Sequence, residues 1–205
     1  WGRSSNGNYT TSTVTTANDL SRNTSYYCTT EAKKLQTWYT PTNFVTYVNS
    51  LSPLGNTFHD IGMLWGARFI SPTGIFATEN AATPTGGNIQ RHMIFMTDGD
   101  TQASNTNYTS YGVGWWDRRQ TTYTPSGQNI EDIIDARLSA LCTAVKNRNI
   151  TLWVVSYGGN VSTTAETRLS DCACPGKYFS ASSTATLISN FKQIASAIAE
   201  LRLTS

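Results

Sequence analysis

The carboxylates of Asp98 and Asp100 flank a glycine directly after the apolar run His92-Met93-Ile94-Phe95-Met96-Thr97. Two carboxylates at the end of a buried strand can hold a divalent cation such as Mg or Ca, directly or through water, with Gly99 relieving the turn. Such a pair also suits Mg-dependent hydrolysis or phosphoryl transfer. Asp-Gly is equally a common turn whose carboxylate binds local backbone. Earlier in the chain, Gly55-Asn56-Thr57 opens a helix, where the Thr57 hydroxyl can serve a metal or cap the helix. His59 and Asp60 fall in the first turn of that helix. His59 can donate to a partner or to Asp98, and Asp60 is favoured there by the helix dipole. A third group lies in Tyr111-Gly112-Val113-Gly114-Trp115-Trp116-Asp117-Arg118-Arg119. Trp115, Trp116, Asp117 and Arg118 bring together residue types of which Trp and Arg are enriched at interface anchors, and the alternative is a Trp pair pinned under its own loop. No nucleophile pattern accompanies His59, and neither a phosphate-cradling glycine loop nor a second acidic cluster occurs. These residues therefore point to binding rather than catalysis.

The elements that must position them can be read from periodicity. Residues 92–97 are apolar on both faces, the pattern of a central parallel strand, and Ile150-Thr151-Leu152-Trp153-Val154-Val155 repeats it. The spacing predicts helices over 42–51, 58–70, 130–147, 163–170 and 184–202, with a weak strand at Lys177-Tyr178-Phe179. Thr57 is expected to cap the second helix, and the aromatic and aliphatic stripe of the last helix, Leu187, Phe191, Ile194 and Ile198, to face the core. Strand alternating with helix predicts an α/β fold: an open, mostly parallel sheet flanked by helices, Rossmann-like, with an incomplete first half. Ligands of such sheets bind at the carboxyl ends of the strands, which places Asp98, Gly99 and Asp100 at the ligand edge. Residues 1–40 read as a polar arm or insertion and 41–205 as the α/β domain. Two strong strands are few for so many helices, so the edge beside 92–97 is expected to be filled by the arm or by another polypeptide.

Composition narrows the function classes. Charged residues make up 14% of the 205, and the net charge is +2, which excludes a nucleic-acid or membrane-surface binder acting by charge alone. Thr, Ser and Asn fill about a third of the chain. No apolar run is long enough to span a bilayer. The start at Trp1, without Met, is expected to mark a processed or truncated product. Four cysteines without paired Cys-x-x-Cys spacing argue for disulfides in an oxidising, extracytoplasmic compartment rather than for zinc. Three pairings are open; Cys142–Cys172 with Cys28–Cys174 is the expected one, the second bridge stapling the arm to the core.

Taken together, Gly55-Asn56-Thr57, His92–Asp100 and Trp153-Val154-Val155 resemble the later elements of a von Willebrand factor A-type domain. The strings His59-Asp60-Ile61-Gly62-Met63-Leu64-Trp65-Gly66-Ala67-Arg68, Arg91–Gly99, Trp116-Asp117-Arg118-Arg119 and Ile194-Ala195 to Leu201-Arg202-Leu203 are similar to the C-terminal part of TadG-type proteins of bacterial tight-adherence (Flp) pilus assembly. The resemblance covers residues 44–203. It implies a non-enzymatic assembly module in the periplasm or at the cell surface, with a parent anchored in the inner membrane. Its partners would be pilus-assembly components or the missing N-terminal half. It also implies a metal-ion-dependent adhesion site in which Thr57 and Asp98 match the second and third parts. The first part, Asp-x-Ser-x-Ser, has no counterpart; the nearest string, Asp19-Leu20-Ser21-Arg22-Asn23, ends in Asn and follows no apolar strand. A hard cation takes about six oxygens, so this chain alone is expected to bind Mg or Ca weakly or not at all. The alternatives are a Mg-dependent hydrolase or phosphatase using Asp98 and Asp100, and a filament subunit whose arm adds a strand to a neighbour.

Overall fold

The structure is a computed structural model that describes residues 2–3, 9–10, 30–52, 56–81, 87, 89–106, 108–159 and 161–203. The chain divides into two compact units, each made of two stretches: residues 1–58 with 102–133, and residues 59–101 with 134–205.

The second unit holds a parallel sheet of three strands, β3 (Arg91–Thr97), β6 (Ile150–Tyr157) and β7 (Tyr178–Ala181), in the order β3-β6-β7. The register pairs Ile94 with Trp153 and Val154 with Tyr178. This is the expected α/β arrangement of a small open parallel sheet flanked by helices. The helices are α2 (His59–Ile70), α5 (Gly127–Lys146, in this unit from Ile134), α6 (Thr163–Cys172) and α7 (Thr184–Leu203). A four-residue helix, α3 (Ala77–Asn80), lies between α2 and β3, outside the helices that the spacing predicts. Its Asn80 amide donates to the carbonyls of Phe69 and Phe76, so a polar side chain ties the turn together where no apolar period signalled it.

The period-2 alternation of β6 sends its side chains to two cores. Leu152 and Val154 face Met63 of α2, Leu138, Cys142 and Val145 of α5, and Leu169 of α6. Trp153 and Val155 face Ile194, Leu187 and Ile198 of α7. Trp153, 1% exposed, is flanked by the His92 and Phe179 rings, carries Lys177 Nζ 4.3 Å over its face, and donates its indole N–H to His92 Nδ1 at 3.2 Å. The buried stripe of α5 runs through Ile134, Leu138, Cys142 and Val145, with Leu141 on its flank. Cys142 takes that inward position because it is bonded to Cys172 at the end of α6, one of the expected bridges.

Three expectations are corrected. Among the described residues β3 is not central: it pairs with β6 alone and no described strand lies on its other edge. Met93 and Phe95 pack on the first core, whereas Ile94 and Met96 on the opposite face are 41% and 49% exposed, because α7 packs over β6 and β7. An apolar run on both faces therefore marked an edge strand with one half-covered face. Phe191 is 37% exposed; Asn190, one residue earlier, faces inward and donates to the Ser180 carbonyl, so the sheet-facing stripe of α7 runs through 187, 190, 194 and 198. The expected Cys28–Cys174 bridge falls on Cys28, which lies outside the described residues, and Cys174 Sγ accepts the Leu152 amide. Thr57 does not cap α2; it forms an isolated antiparallel bridge with Gln102.

The first unit contains two short antiparallel pairs, β1 (Gly2–Arg3) with β2 (Tyr9–Thr10), and β4 (Tyr108–Thr109) with β5 (Gly112–Val113). It also holds α1 (Pro41–Ser50), α4 (Gly114–Asp117) and the start of α5. Thr40 caps α1 by accepting from the Asn43 amide, and Pro41 occupies its first position, where a missing N–H costs nothing. Most of the arm and the Asp19–Asn23 string lie outside the described residues.

Candidate functional site

The carboxyl end of β3 gathers a buried polar chain within the second unit. His59 is the first residue of α2 and its ring stands edge-on to Phe95, 5.7 Å between centroids. Its Nε2 lies 2.9 Å from Thr97 Oγ1 and its Nδ1 lies 3.0 Å from Thr101 Oγ1. Thr101 in turn donates to Asp135 Oδ1 at 2.6 Å, and the other Asp135 oxygen pairs with Arg168 at 2.6 Å. The directions follow from the chain's acidic end. An ionised carboxylate can only accept, so the Thr101 proton points to Asp135 and Thr101 Oγ1 must accept from His59 Nδ1–H. His59 therefore carries a proton on Nδ1, and in its neutral form Nε2 is the acceptor that faces the Thr97 hydroxyl. The Thr97 oxygen also receives the Gly99 amide at 3.4 Å and lies 3.2 Å from the Gly99 carbonyl.

Burial lowers the His59 pKa below its ordinary value of 6.5. Among the nearby charges, Asp135, Asp100 and Asp98 pull it up and Arg168 pushes it down, but desolvation of the imidazolium is the largest effect. The histidine is therefore a neutral hinge pin between strand, loop and helix.

The two aspartates of the turn have different tasks. Asp100 accepts the Ser162 amide at 2.9 Å, just before α6, where Ser162 itself caps the helix through Ala165. Asp98 is exposed at the mouth of the sheet, and its carboxylate has no hydrogen-bond or ion-pair partner among the described residues. Asp60, 1% exposed, accepts the Ile61 amide and pairs with Arg137 at 3.8 Å, which ties the start of α2 to α5. It is a structural carboxylate placed as the helix dipole favours.

Thr57 and the Trp-Arg loop belong to the first unit. There Trp115 is half-buried and its amide donates to the Asn105 carbonyl. Asp117 accepts the Val113 amide at 2.6 Å and pairs with Arg119 at 3.7 Å. Arg118 sits in the left-handed region at φ 46° and donates from Nε to the Trp115 carbonyl. Asp117 and Arg118 thus both bond to the backbone of their own loop. The Trp116 side chain lies outside the described ones.

Among the described residues no three His, Cys, Asp or Glu side chains are grouped so as to hold a metal ion. Sequence reasoning missed Thr101, Asp135, Arg168 and Ser162. Asp135 carried one signal, a carboxylate beside the apolar stripe of a long amphipathic helix; the others carried none, because their partners are 33 to 62 residues away. No helix of the described residues is long and apolar enough to cross a membrane. In comparisons with protein families, curated proteins and solved structures, nothing matches this chain.

Proposed function

We propose that this chain is a non-enzymatic protein-binding module that docks a partner at the carboxyl edge of its sheet, in the extracytoplasmic setting of a tight-adherence pilus assembly. One observation carries the reading. Asp98 presents an unpaired, exposed carboxylate at that edge, while the polar groups behind it are tied into a closed chain from Thr97 to Arg168. A rigid rim with one outstanding charge suits recognition of a basic or amide-bearing surface. The alternative of a Mg-dependent hydrolase has less support, because Asp100 is engaged by the Ser162 amide. The Cys142–Cys172 bridge agrees with an oxidising compartment.

The test is site-specific photo-crosslinking from position 98 in cells that assemble the pilus, compared with position 171 on exposed α6. Adducts with a pilus-assembly component from 98 and not from 171 support the reading. Hydrolysis of p-nitrophenyl phosphate in Mg²⁺ that disappears in Asp98→Asn would replace it with the hydrolase.

A further inference from the structure

At the opposite end of the second unit's sheet, α2 and α5 part around a cleft of about 250 Å³. Its floor is apolar: Ala67 from α2, Leu141 and Val145 from α5, and Ile150, the first residue of β6. Ala67 and Ala144 leave the space open, since longer side chains at these positions would occupy it. The exposed Arg68, Arg148 and Thr73 border it, and the buried Ser71, whose hydroxyl accepts the Thr73 amide, also lines it.

Neither arginine is neutralised. Arg68 lies over the Trp65 ring at 4.8 Å, and Arg148 reaches the Ala144 carbonyl at 3.5 Å, at the limit of a hydrogen bond. No carboxylate pairs with either among the described residues. Cations near helix C-termini are favoured by the helix dipole, which accounts for their sign. It does not account for an apolar recess between them. Two guanidinium groups and two hydroxyls around an apolar floor complement an anion carried on a compact apolar body. The volume is below the roughly 300–1,000 Å³ of pockets for drug-sized ligands, which excludes nucleotides and long acyl chains.

We propose that this cleft binds a small aryl or acyl carboxylic acid, with its carboxylate at Arg68 and Arg148 and its apolar body on the Ala67–Val145 floor. The site is separate from Asp98 and does not depend on the docking function.

The probe is 3-phenylpropionate, titrated into the isotopically labelled full chain and followed by amide NMR. Saturable shifts at Ala67, Ser71 and Ala144 are expected, and their absence at millimolar probe overturns the proposal. The uncharged 3-phenylpropanol is expected to bind about tenfold more weakly, the loss of one charge-assisted contact; equal binding overturns the role of the arginines. Acetate is expected to give no saturable shift, and acetate binding as tight as the probe overturns the role of the floor. An N-acetylated tripeptide ending in Phe separates a free acid from a peptide C-terminus, and tighter binding of the peptide overturns the assignment to a small acid. Two variants close the test. Arg148→Gln keeps the recess and is expected to weaken the probe about tenfold. Ala144→Leu fills it and is expected to abolish binding. Amide dispersion like that of the parent shows that both are folded, and unchanged affinity in both overturns the proposal.

Discussion

Asp98 and His59 show how differently two polar side chains at one strand end can be surrounded. Both lie at the carboxyl end of β3, yet one is exposed without a partner and the other is enclosed by two threonines. Because burial lowers the His59 pKa, the unfolded chain binds the proton more readily than the folded one. The neutral imidazole therefore contributes stability that is present above 6.5 and is lost as pH falls through the lowered folded value. The urea midpoint is expected to rise with pH in the window up to about 6.5, and His59→Gln should remove that part of the slope. Thr101→Val breaks the chain in the middle, leaving Asp135 and His59 Nδ1 without their shared hydroxyl; a loss of about 1–3 kcal/mol by urea unfolding is expected. Asp98→Asn should leave the urea midpoint within about 0.5 kcal/mol of the parent, because an exposed group without partners supports nothing in the fold.

At the scale of the element, β3 and β6 are near-twins in sequence and differ in burial. β6 is enclosed by strands on both edges and by helices on both faces, whereas β3 has one partner strand and a half-covered face. Val154→Ala is expected to cost about 2–3 kcal/mol, and Ile94→Thr less than about 1 kcal/mol, both read from urea midpoints. Equal costs would mean that the exposed face of β3 is covered in solution. The β4–β5 turn makes a different demand. Gly112 has φ 82°, and a Cβ there would overlap the Asp117 carboxylate that holds the Val113 amide. Such a position accepts glycine because it lacks the side chain that would clash.

For the molecule as a whole, the disulfide between α5 and α6 is the covalent tie of the second unit. It spans 30 residues, and removing that constraint from the unfolded chain is worth about 3–4 kcal/mol in the chain-entropy account. Reduction should lower the Tm of the parent clearly, while a Cys142→Ala/Cys172→Ala variant should show no response to reductant. The three corrected expectations share one physical origin. Periodicity reports which side of an element is apolar and how long the element is, so α2, α5, β6 and α7 were legible to within a few residues. The Asp98-Gly99-Asp100 turn at the end of β3 was legible for the same reason, as a polar break after an apolar run. Strand order, the edge position of β3 among the described strands and the inward turn of Asn190 in place of Phe191 depend on which elements meet. The chain from Thr97 through His59, Thr101 and Asp135 to Arg168 likewise joins residues from α2, β3, α5 and α6. Local pattern in the sequence determined the elements because a helix or strand is stabilised by contacts a few residues apart. The tertiary structure alone decided the site, because hydrogen bonds between distant segments exist only once packing has brought their donors and acceptors together.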